Sequence, residues 1–518
     1  MSPEEVGDWL PRLEKLEATE ALFVDGETIS YSRLSQAAER AARELDGLGV
    51  EAGDLVAVLA SPSAGGVALI HGLLDRRFVL LPLNLRLTEE EQAEALRQTR
   101  ARFLIVGPGV DAGRAKRLSS QAGCGLIRFA PLSGPDNESG LLLDFVRVAG
   151  PIDDPLANRA SLRAFLLEED IGFVLQTSGT SGRPKAAMLT RGNLVASAEG
   201  SMQRLGCERL DRWLLCMPLF HIGGLSVLIR SVLGGTSVAV HARFDAKRVA
   251  EALDSDRVTR VSFVATMLAE VIAARGDRPS PPSLDLVLLG GGPASEDLLR
   301  RAETLGYPIA PTYGLTEAAS QVATRPPSKR VDCSDSDPVD RAGGLEPLPG
   351  VEIRIVDANG ECTPVGGEGE IQLRGKVVMK GYLGDPEATA RAIVDGWLST
   401  GDIGRLDGAG HLRVLDRRVD LIVSGGENIY PAEIESILAD HPEVLEAGVV
   451  GRPDSKFGAR PVAFVVMRPG VSFDRSELVS FCKERLAGYK IPTDFIPCER
   501  LPRTASGKLK RRELLHRE

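Results

Sequence analysis

The chain has 518 residues, of which 43% are hydrophobic and 26% are charged, and these proportions are typical of globular proteins. The 62 Lys and Arg residues against 72 Asp and Glu residues give a formal net charge of −10, which argues against nucleic acid or an anionic membrane surface as the main partner. This length exceeds what one hydrophobic core usually serves, so two or three packed units are expected.

The N-terminal segment and the cysteines predict a cytoplasmic protein. Residues 1–10 lack the basic and apolar regions of a signal peptide. The most apolar stretch, Val67–Leu83, is interrupted by three charged residues from Asp75 to Arg77, which predicts a buried helix and strand rather than a membrane span. The seven cysteines have no metal-ligand spacing and are odd in number, which favours free thiols in a reducing compartment.

Short apolar runs alternate with amphipathic stretches in the first two thirds of the chain. Such an order of strand, turn and helix implies mostly parallel sheets with helices on their faces. The predicted elements are buried strands at Asp54–Ala60, Arg102–Val106, Ile171–Leu175 and Leu284–Leu289, and helices at Ser32–Leu48 and Ser295–Leu305.

The pattern changes near Gly350, where apolar and polar residues begin to alternate as they do in half-buried antiparallel strands. A separate α+β pattern starts after Arg417, which places a domain boundary near Arg417–Asp420. The predicted elements are strands at Val351–Val356, Glu370–Arg374, His411–Val414, Glu446–Val450 and Val462–Val466, and helices at Pro431–Asp440 and Ser476–Leu486.

The predicted fold class is α/β. We expect a large N-terminal domain over residues 1–416, built from mostly parallel sheets with helices and a small β-barrel-like part. A hinge over residues 417–419 and a small, mobile α+β domain over residues 420–518 complete the predicted organisation.

The strongest local signal follows the strand that ends at Leu175. Small hydroxyl residues and two glycines allow this backbone to curl so that its N–H groups converge on an anion, and Lys185 adds a positive charge. The segment does not match the Walker loop, and Gly290–Ser295 does not match the dinucleotide-binding glycine pattern. A flexible linker is the alternative, but the lysine and the preceding strand favour a polyphosphate cradle. The predicted contacts are Thr177, Ser178, Gly179, Thr180, Ser181, Gly182 and Lys185.

This loop resembles the phosphate loop of the adenylate-forming enzymes, which include acyl-CoA synthetases, luciferases and the adenylation domains of peptide synthetases. Other motifs of that family follow in the same order and cover about residues 171 to 514. They are Pro218–Leu225, Tyr313–Glu317, Ser399–Asp402, Asp416–Arg417, Ser424–Pro431 and Pro502–Arg511. The resemblance implies that ATP activates a carboxylic acid as an acyl-adenylate with the help of Mg²⁺, and that CoA then accepts the acyl group.

The resemblance also implies roles for individual residues. Glu317 is expected to hold Mg²⁺ and Thr316 to donate to the α-phosphate. Asp402 and Arg417 are expected to bind the ribose, and Lys508 to stabilise the charge that develops during adenylation. Taken alone, Asp402 could be a turn residue, Arg417 a surface ion-pair partner and Lys508 part of a solvated basic tail. The presence of all the family motifs in order favours the functional roles. The expected neighbours of the adenine and acyl groups are Gly290, Gly291, Gly292, Tyr313 and Gly314.

Transfer of the acyl group to CoA, which is the second half-reaction, is assigned to the loop after the hinge. By resemblance, the C-terminal domain swings after pyrophosphate leaves and presents Ser424, Gly425, Gly426 and Glu427 to a thiol channel. Val419 departs from the Asp or Lys of many relatives, which leaves the detailed hinge geometry open. No serine motif of a carrier protein follows Leu514, so CoA is the expected acceptor.

Three stretches resemble the o-succinylbenzoate–CoA ligases of menaquinone synthesis within this family: Phe220–Ser226, Tyr313–Gln321 and Arg417–Pro431. A polar pair at Ser320 and Gln321 suits an acid with a second carboxylate or keto group, because buried polar atoms of a substrate need partners. The pair could instead cap the local backbone, and a medium- or long-chain fatty acyl-CoA ligase and a catalytically silent nucleotide-binding member remain alternatives. The predicted acyl pocket contains Gly223, Ser320, Gln321 and His221, which is also a candidate catalytic residue and could instead be a core histidine.

Overall fold

The computed structural model describes residues 13, 16, 19–132, 137, 140–150, 156–177, 184–291, 294, 296–327, 344–357, 359–416, 422–429, 431–502 and 511–515. Up to residue 327 its strands are β1 (Glu20–Val24), β2 (Glu27–Ser30), β3 (Leu55–Leu59), β4 (Val79–Pro82), β5 (Phe103–Val106), β6 (Gly125–Pro131), β7 (Leu143–Ala149), β8 (Ile171–Thr177), β9 (Lys185–Thr190), β10 (Arg212–Leu215), β11 (Ser237–Val240), β12 (Arg260–Phe263), β13 (Leu286–Leu289), β14 (Ile309–Leu315) and β15 (Ser320–Thr324). The helices of this part are α1 (Tyr31–Gly47), α2 (Ala64–Asp75), α3 (Glu89–Thr99), α4 (Ala112–Ala122), α5 (Leu156–Glu168), α6 (Arg191–Leu205), α7 (Ile222–Gly234), α8 (Ala246–Ser255), α9 (Ala265–Arg275) and α10 (Glu296–Thr304).

The remaining part of the chain is richer in strands. They are β16 (Glu346–Pro347), β17 (Val351–Val356), β18 (Gly369–Gly375), β19 (Gly381–Tyr382), β20 (Ile393–Val394), β21 (Trp397–Leu406), β22 (Leu412–Asp416), β23 (Ile422–Ser424), β24 (Glu427–Ile429), β25 (Val444–Asp454), β26 (Gly458–Met467) and β27 (Asp494–Pro497). The helices are α11 (Pro386–Ala392), α12 (Pro431–Ala439), α13 (Arg475–Arg485) and α14 (Arg511–Leu515).

Two large sheets form the body of the molecule. The first has nine strands in the order β16-β15-β14-β13-β12-β10-β11-β1-β2, and the second has eight in the order β19-β9-β8-β4-β3-β5-β6-β7. Their central strands are parallel, and antiparallel strands lie at the edges. The central strands are short and wholly apolar or nearly so, as expected where both faces of a sheet are covered.

Helices fill the space between and around these sheets, which gives five layers. The largest buried cluster combines side chains of both sheets with those of α1, α2, α6 and α7. Helix α7 has ten buried residues among its thirteen, because a helix packed between two sheets has no face toward water. Separate clusters cover the outer face of the second sheet with α3, α4 and α5, and that of the first with α8 and α9.

Two further sheets follow in the chain, and their strands are antiparallel except for the parallel pair β26 and β27. Strands β17, β18, β21, β20 and β22 form a five-stranded sheet that packs into the largest buried cluster. Strands β23 to β27 form a further sheet with its own buried core against α12 and α13. We refer to the described residues from 422 onward as the C-terminal unit. Within the described ranges, no helix has the length and apolar character that crossing a membrane requires.

The structure confirms the predicted fold class and the predicted elements, whose ends differ by a few residues. The predicted helix Ser32–Leu48 is α1, and the predicted strand Leu284–Leu289 is β13. Strands β25 and β26 are about twice as long as predicted because they pair with each other along their whole length. The predicted hinge at residues 417–419 lies outside the described residues, so the domain boundary stays a prediction.

Candidate active site

A cavity of about 600 Å³ lies at the carboxyl ends of the parallel strands of the first large sheet. Strands β10, β12 and β13 lead to Met217, Val264 and Gly290 on its wall, which is where open α/β sheets usually bind ligands. Many of the residues predicted from sequence line this one cavity: Thr177, His221, Gly223, Gly290, Gly291, Gly314, Thr316, Glu317, Ser320, Gln321, Asp402, Gly426 and Glu427.

The other predicted residues divide into two groups. Lys185, Tyr313 and Ser424 are described and pair or bond with residues of the wall, and Gly425 directly precedes the wall residue Gly426. The second group lies outside the described residues: Ser178, Gly179, Thr180, Ser181, Gly182, Gly292, Arg417 and Lys508.

The phosphate-loop segment connects two paired strands. Strand β8 ends at Thr177 and β9 begins at Lys185, and these two residues face each other across the antiparallel pair. Just before Lys185, the carbonyl oxygen of Pro184 accepts a hydrogen bond of 2.7 Å from the side chain of Gln98. Both ends of the predicted cradle are therefore fixed at the cavity by ordered structure.

Asp402 projects into the cavity from a bulge in β21. The pairing of β21 with β18 shifts register here, and Gly401 has a φ of +74°, which favours glycine. Thr400 fixes the bulge, because its hydroxyl donates to the Ile371 carbonyl and accepts from the Asp402 amide. The Tyr313 hydroxyl donates to Asp402 Oδ2 at 2.6 Å and orients the buried carboxylate.

Tyr382 links the predicted metal ligand to the predicted phosphate-binding lysine. Its hydroxyl donates to Glu317 Oε1 at 3.0 Å, and Lys185 Nζ lies 4.7 Å from the centroid of its ring. Glu317 is 7% exposed and lines the cavity. One protein carboxylate beside a polyphosphate site suits Mg²⁺, which usually takes one or two carboxylates and completes its shell with phosphate and water.

The predicted acyl side of the cavity contains strained backbone and unpaired polar atoms. Ala319 and Ser320 have φ angles of +53° and +105°, an unfavourable region for residues with a side chain, as often occurs at functional sites. The Ser197 hydroxyl donates to the Ala319 carbonyl and supports this turn. Gln321 follows it and is 2% exposed, and neither atom of its amide has a hydrogen-bond partner among the described residues.

A tight turn of the C-terminal unit reaches the opposite wall of the cavity. Gly425 and Gly426 connect β23 to β24 with φ angles of +57° and +85°, which is the conformation of a two-residue hairpin turn. The Glu427 carboxylate that follows lies 3.3 Å from His221 Nε2 and accepts a 2.8 Å hydrogen bond from Arg86. Glu427 therefore joins the C-terminal unit to two segments of the large body.

The pKa of Glu427 is lower than the ordinary value of a glutamate. Burial of its carboxyl raises the pKa, but the hydrogen bond and charge of His221, together with the positive charges of Arg86 and Lys490, outweigh burial. The carboxyl is therefore held in its ionised form.

The sequence alone does not indicate several residues that line this cavity or contact its wall. Arg86 and Tyr382 lie in segments without a recognisable motif, and each becomes relevant only through a contact made across the fold. The same is true of Glu91, Glu433 and Lys490, which line the cavity and meet in one cluster.

Comparison with known proteins agrees with this geometry. A family model described as AMP-binding enzyme matches residues 12–383, and one described as AMP-binding enzyme C-terminal domain matches residues 433–508. The 2-succinylbenzoate–CoA ligase of Bacillus licheniformis is 39% identical over 511 residues, which cover 98% of this chain and 99% of the relative.

Structures of the o-succinylbenzoate CoA synthetase of Bacillus subtilis have the same fold. A double mutant bound to the product analogue OSB-NCoA has a TM-score of 0.83 at 34% identity, covering 99% of both chains. The complex with the acyl-adenylate intermediate OSB-AMP has a TM-score of 0.66 at 35% identity, covering 99% of this chain and 98% of the other. A complex with ATP and magnesium has a TM-score of 0.67 at 36% identity, covering 98% of this chain and 99% of the other. The present arrangement thus agrees better with the product-analogue complex than with the adenylate complex.

The lowered pKa of Glu427 predicts a pH-dependent contribution to stability. The pKa is depressed in the folded state, so the contribution is complete above the unfolded value of about 4.3 and is lost as the pH falls through the folded value. We expect Glu427→Gln to lower the melting temperature at pH 7 and to differ less from the wild type in acid. Glu499→Gln changes an exposed glutamate of the same unit and is the matched control. A difference that does not change with pH would contradict the assignment.

Proposed function

The chain belongs to the AMP-binding enzyme family, and we propose that it is an ATP-dependent, AMP-forming ligase that joins 2-succinylbenzoate to CoA. The observation that carries the substrate assignment is the buried, unpaired amide of Gln321 beside the nucleotide residues of the same cavity. Similarity over the whole chain to 2-succinylbenzoate–CoA ligases supports the same conclusion. Because ATP and CoA are its co-substrates, we assign the enzyme to the cytoplasm.

In the first half-reaction, a carboxylate oxygen of the acid attacks the α-phosphate of ATP and pyrophosphate leaves. Both reactants are anions, so positioning and charge neutralisation provide most of the catalysis. We assign the ribose to Asp402, the α-phosphate to Thr316 and Mg²⁺ to Glu317, on the support of their common wall and of the family resemblance. Bound Mg²⁺ would supply positive charge to the phosphate oxygens.

The phosphates themselves are assigned to the loop from Thr177 to Lys185. Arg417 joins Asp402 at the ribose, and Lys508 stabilises the charge of the adenylation transition state. The adenine and the acyl end of the adenylate are assigned to Gly290, Gly291, Gly292, Tyr313 and Gly314.

In the second half-reaction, the CoA sulfur attacks the acyl carbon, the bond to the phosphate oxygen breaks and AMP leaves. The thiol must lose its proton as the new bond forms. His221 borders the cavity within 3.3 Å of the ionised Glu427, so the pair can accept that proton and hold it as an imidazolium beside a carboxylate. We assign Ser424, Gly425 and Gly426 to the wall of the thiol channel, with residues 417–419 as the hinge that brings them there.

The acyl pocket is assigned to Gly223, Ser320, Gln321 and His221. 2-Succinylbenzoate has a ring carboxylate, a keto group and a chain carboxylate, so it brings polar atoms into the pocket beyond the group that is activated. An unpaired buried amide is costly unless a substrate completes its hydrogen bonds. A fatty acid would leave Gln321 unsatisfied, so we rank a fatty acyl-CoA ligase second and a catalytically silent member third.

An assay of single acids tests the proposal. The enzyme is incubated with ATP, Mg²⁺ and either 2-succinylbenzoate or one of a series of fatty acids, with and without CoA, and AMP and the thioester are quantified. We expect thioester with 2-succinylbenzoate and little with any fatty acid. Thioester formation only from fatty acids would refute the substrate assignment, and no AMP with any acid would support a silent member.

Substitution of the C-terminal lysine tests the adenylation step. We expect Lys508→Ala to slow acid-dependent exchange of pyrophosphate into ATP by about a hundredfold to a thousandfold, because one charge-stabilising group is lost from the transition state. Binding of ATP, measured by calorimetry, should change little. Lys510→Ala removes a lysine two residues away and is the control. Unimpaired exchange in Lys508→Ala would overturn its assigned role.

Substitution of Gln321 should lower catalytic efficiency without lowering stability. Gln321→Met removes two buried, unpaired polar atoms, so the melting temperature should stay the same or rise. The same change should lower kcat/KM for 2-succinylbenzoate by about tenfold to a hundredfold, since the substrate loses its partner. The control is Gln121→Met on the exposed face of α4. Unchanged kcat/KM would remove Gln321 from the pocket.

A further inference from the structure

A buried cluster of charges joins the C-terminal unit to the large body beside the candidate active site. Lys490 Nζ donates to Glu91 Oε1 at 2.9 Å and to Glu433 Oε1 at 2.8 Å. The side chains of Lys490, Glu91 and Glu433 are 8%, 13% and 10% exposed, and all three line the cavity. We call this cluster the Lys490 bridge.

The two halves of the bridge differ in what they connect. Lys490 and Glu433 both belong to the C-terminal unit, so their pair persists wherever that unit moves. Glu91 belongs to α3 of the large body, 399 residues earlier in the chain than Lys490. The bond between Lys490 and Glu91 therefore exists only in an arrangement that brings the two parts together as they are here.

The carboxylate of Glu91 is also held by hydrogen bonds within the large body, which do not involve the C-terminal unit. Its Oε2 accepts from the amide and the hydroxyl of Thr88 at 2.8 and 2.9 Å, which completes a capping box at the start of α3. Its Oε1 faces Lys490. The carboxylate therefore offers an oriented acceptor at the cavity, so forming the bridge orders few additional groups.

The ammonium also prevents repulsion between the two carboxylates. Burial raises the pKa of Glu433, and Lys490 opposes this effect. The pKa of Lys490 is itself raised above its ordinary value: its burial lowers the pKa, but the two carboxylates and Tyr489 together outweigh burial. Without the ammonium, Glu91 and Glu433 would face each other across the boundary as two poorly solvated negative charges.

We propose that Lys490 is a positioning residue for thiol transfer, because its bridge to Glu91 holds the C-terminal unit where Gly426 and Glu427 line the cavity. The same arrangement agrees better with the product-analogue complex of the Bacillus subtilis enzyme than with its acyl-adenylate complex. The inference rests on the proposed two-step reaction. Lys490 touches no reacting atom in this account and acts through the position of the turn at Gly426.

The test separates the two half-reactions. Adenylation is followed by acid-dependent exchange of pyrophosphate into ATP, and thiol transfer by a single turnover of preformed acyl-adenylate with CoA. Any acid that the wild type adenylates serves, so failure of the substrate assignment is distinguished from failure of this proposal. We expect Lys490→Met to slow thiol transfer about tenfold or more and to change exchange by less than about twofold.

A substitution of Glu91 tests the bridge with a smaller change to the structure. Glu91→Gln can keep the capping box, since glutamine also fits that position, and it removes only the charge that faces Lys490. We expect it to slow thiol transfer by less than Lys490→Met does, again with exchange preserved. In the Lys490→Met background, however, Glu91→Gln should increase the rate of thiol transfer, because it removes one of the two carboxylates that repel each other.

Lys483→Met is the matched control, because Lys483 is an exposed lysine at the end of α13 in the same unit. Equal losses in both half-reactions, or independent losses that multiply in the double variant, would overturn the proposal, as would a Lys490→Met enzyme with normal thiol transfer. If Lys490→Met fails to fold, Glu91→Gln decides alone: selective slowing of thiol transfer supports the proposal, and its absence refutes it.

Discussion

An acid and a polyphosphate are both anions, and an enzyme that joins them must first offset their repulsion. The described wall of the cavity does not provide this positive charge, because it contains more carboxylates than lysine or arginine side chains, with Glu317, Asp402 and Glu427 among them. Lys185 does not line the cavity, and its ammonium lies over the ring of Tyr382. We therefore assign the remaining cations to Mg²⁺ on Glu317 and to Arg417 and Lys508, which lie outside the described residues.

The C-terminal unit contacts the site through buried carboxylates that are each paired with a basic side chain. Glu427 lies against His221 and Arg86, and Glu433 shares Lys490 with Glu91. These contacts are polar, whereas each part of the molecule has its own apolar core. An interface of this kind can form and break without disturbing either core, which suits an enzyme that uses one cavity for two successive reactions.

The sequence predicted those features that are encoded locally. Apolar runs such as Asp54–Ala60 and motifs such as Tyr313–Glu317 are short patterns, so several strands and many residues of the candidate cavity could be identified before the structure. The order of the strands and the partners of Glu427 could not, since they depend on contacts between residues hundreds of positions apart, as with Arg86. The unpaired amide of Gln321 likewise becomes visible only when its surroundings are known.

In the proposed reaction, the carboxylate of the acid attacks the α-phosphate and later leaves one of its oxygens on AMP. An acid labelled with ¹⁸O in the carboxylate that is activated tests this reaction, with mass spectrometry of the nucleotide after complete conversion to the thioester. We expect one ¹⁸O atom in each AMP and none in pyrophosphate. Unlabelled AMP, or formation of ADP together with labelled orthophosphate, would contradict activation through an acyl-adenylate.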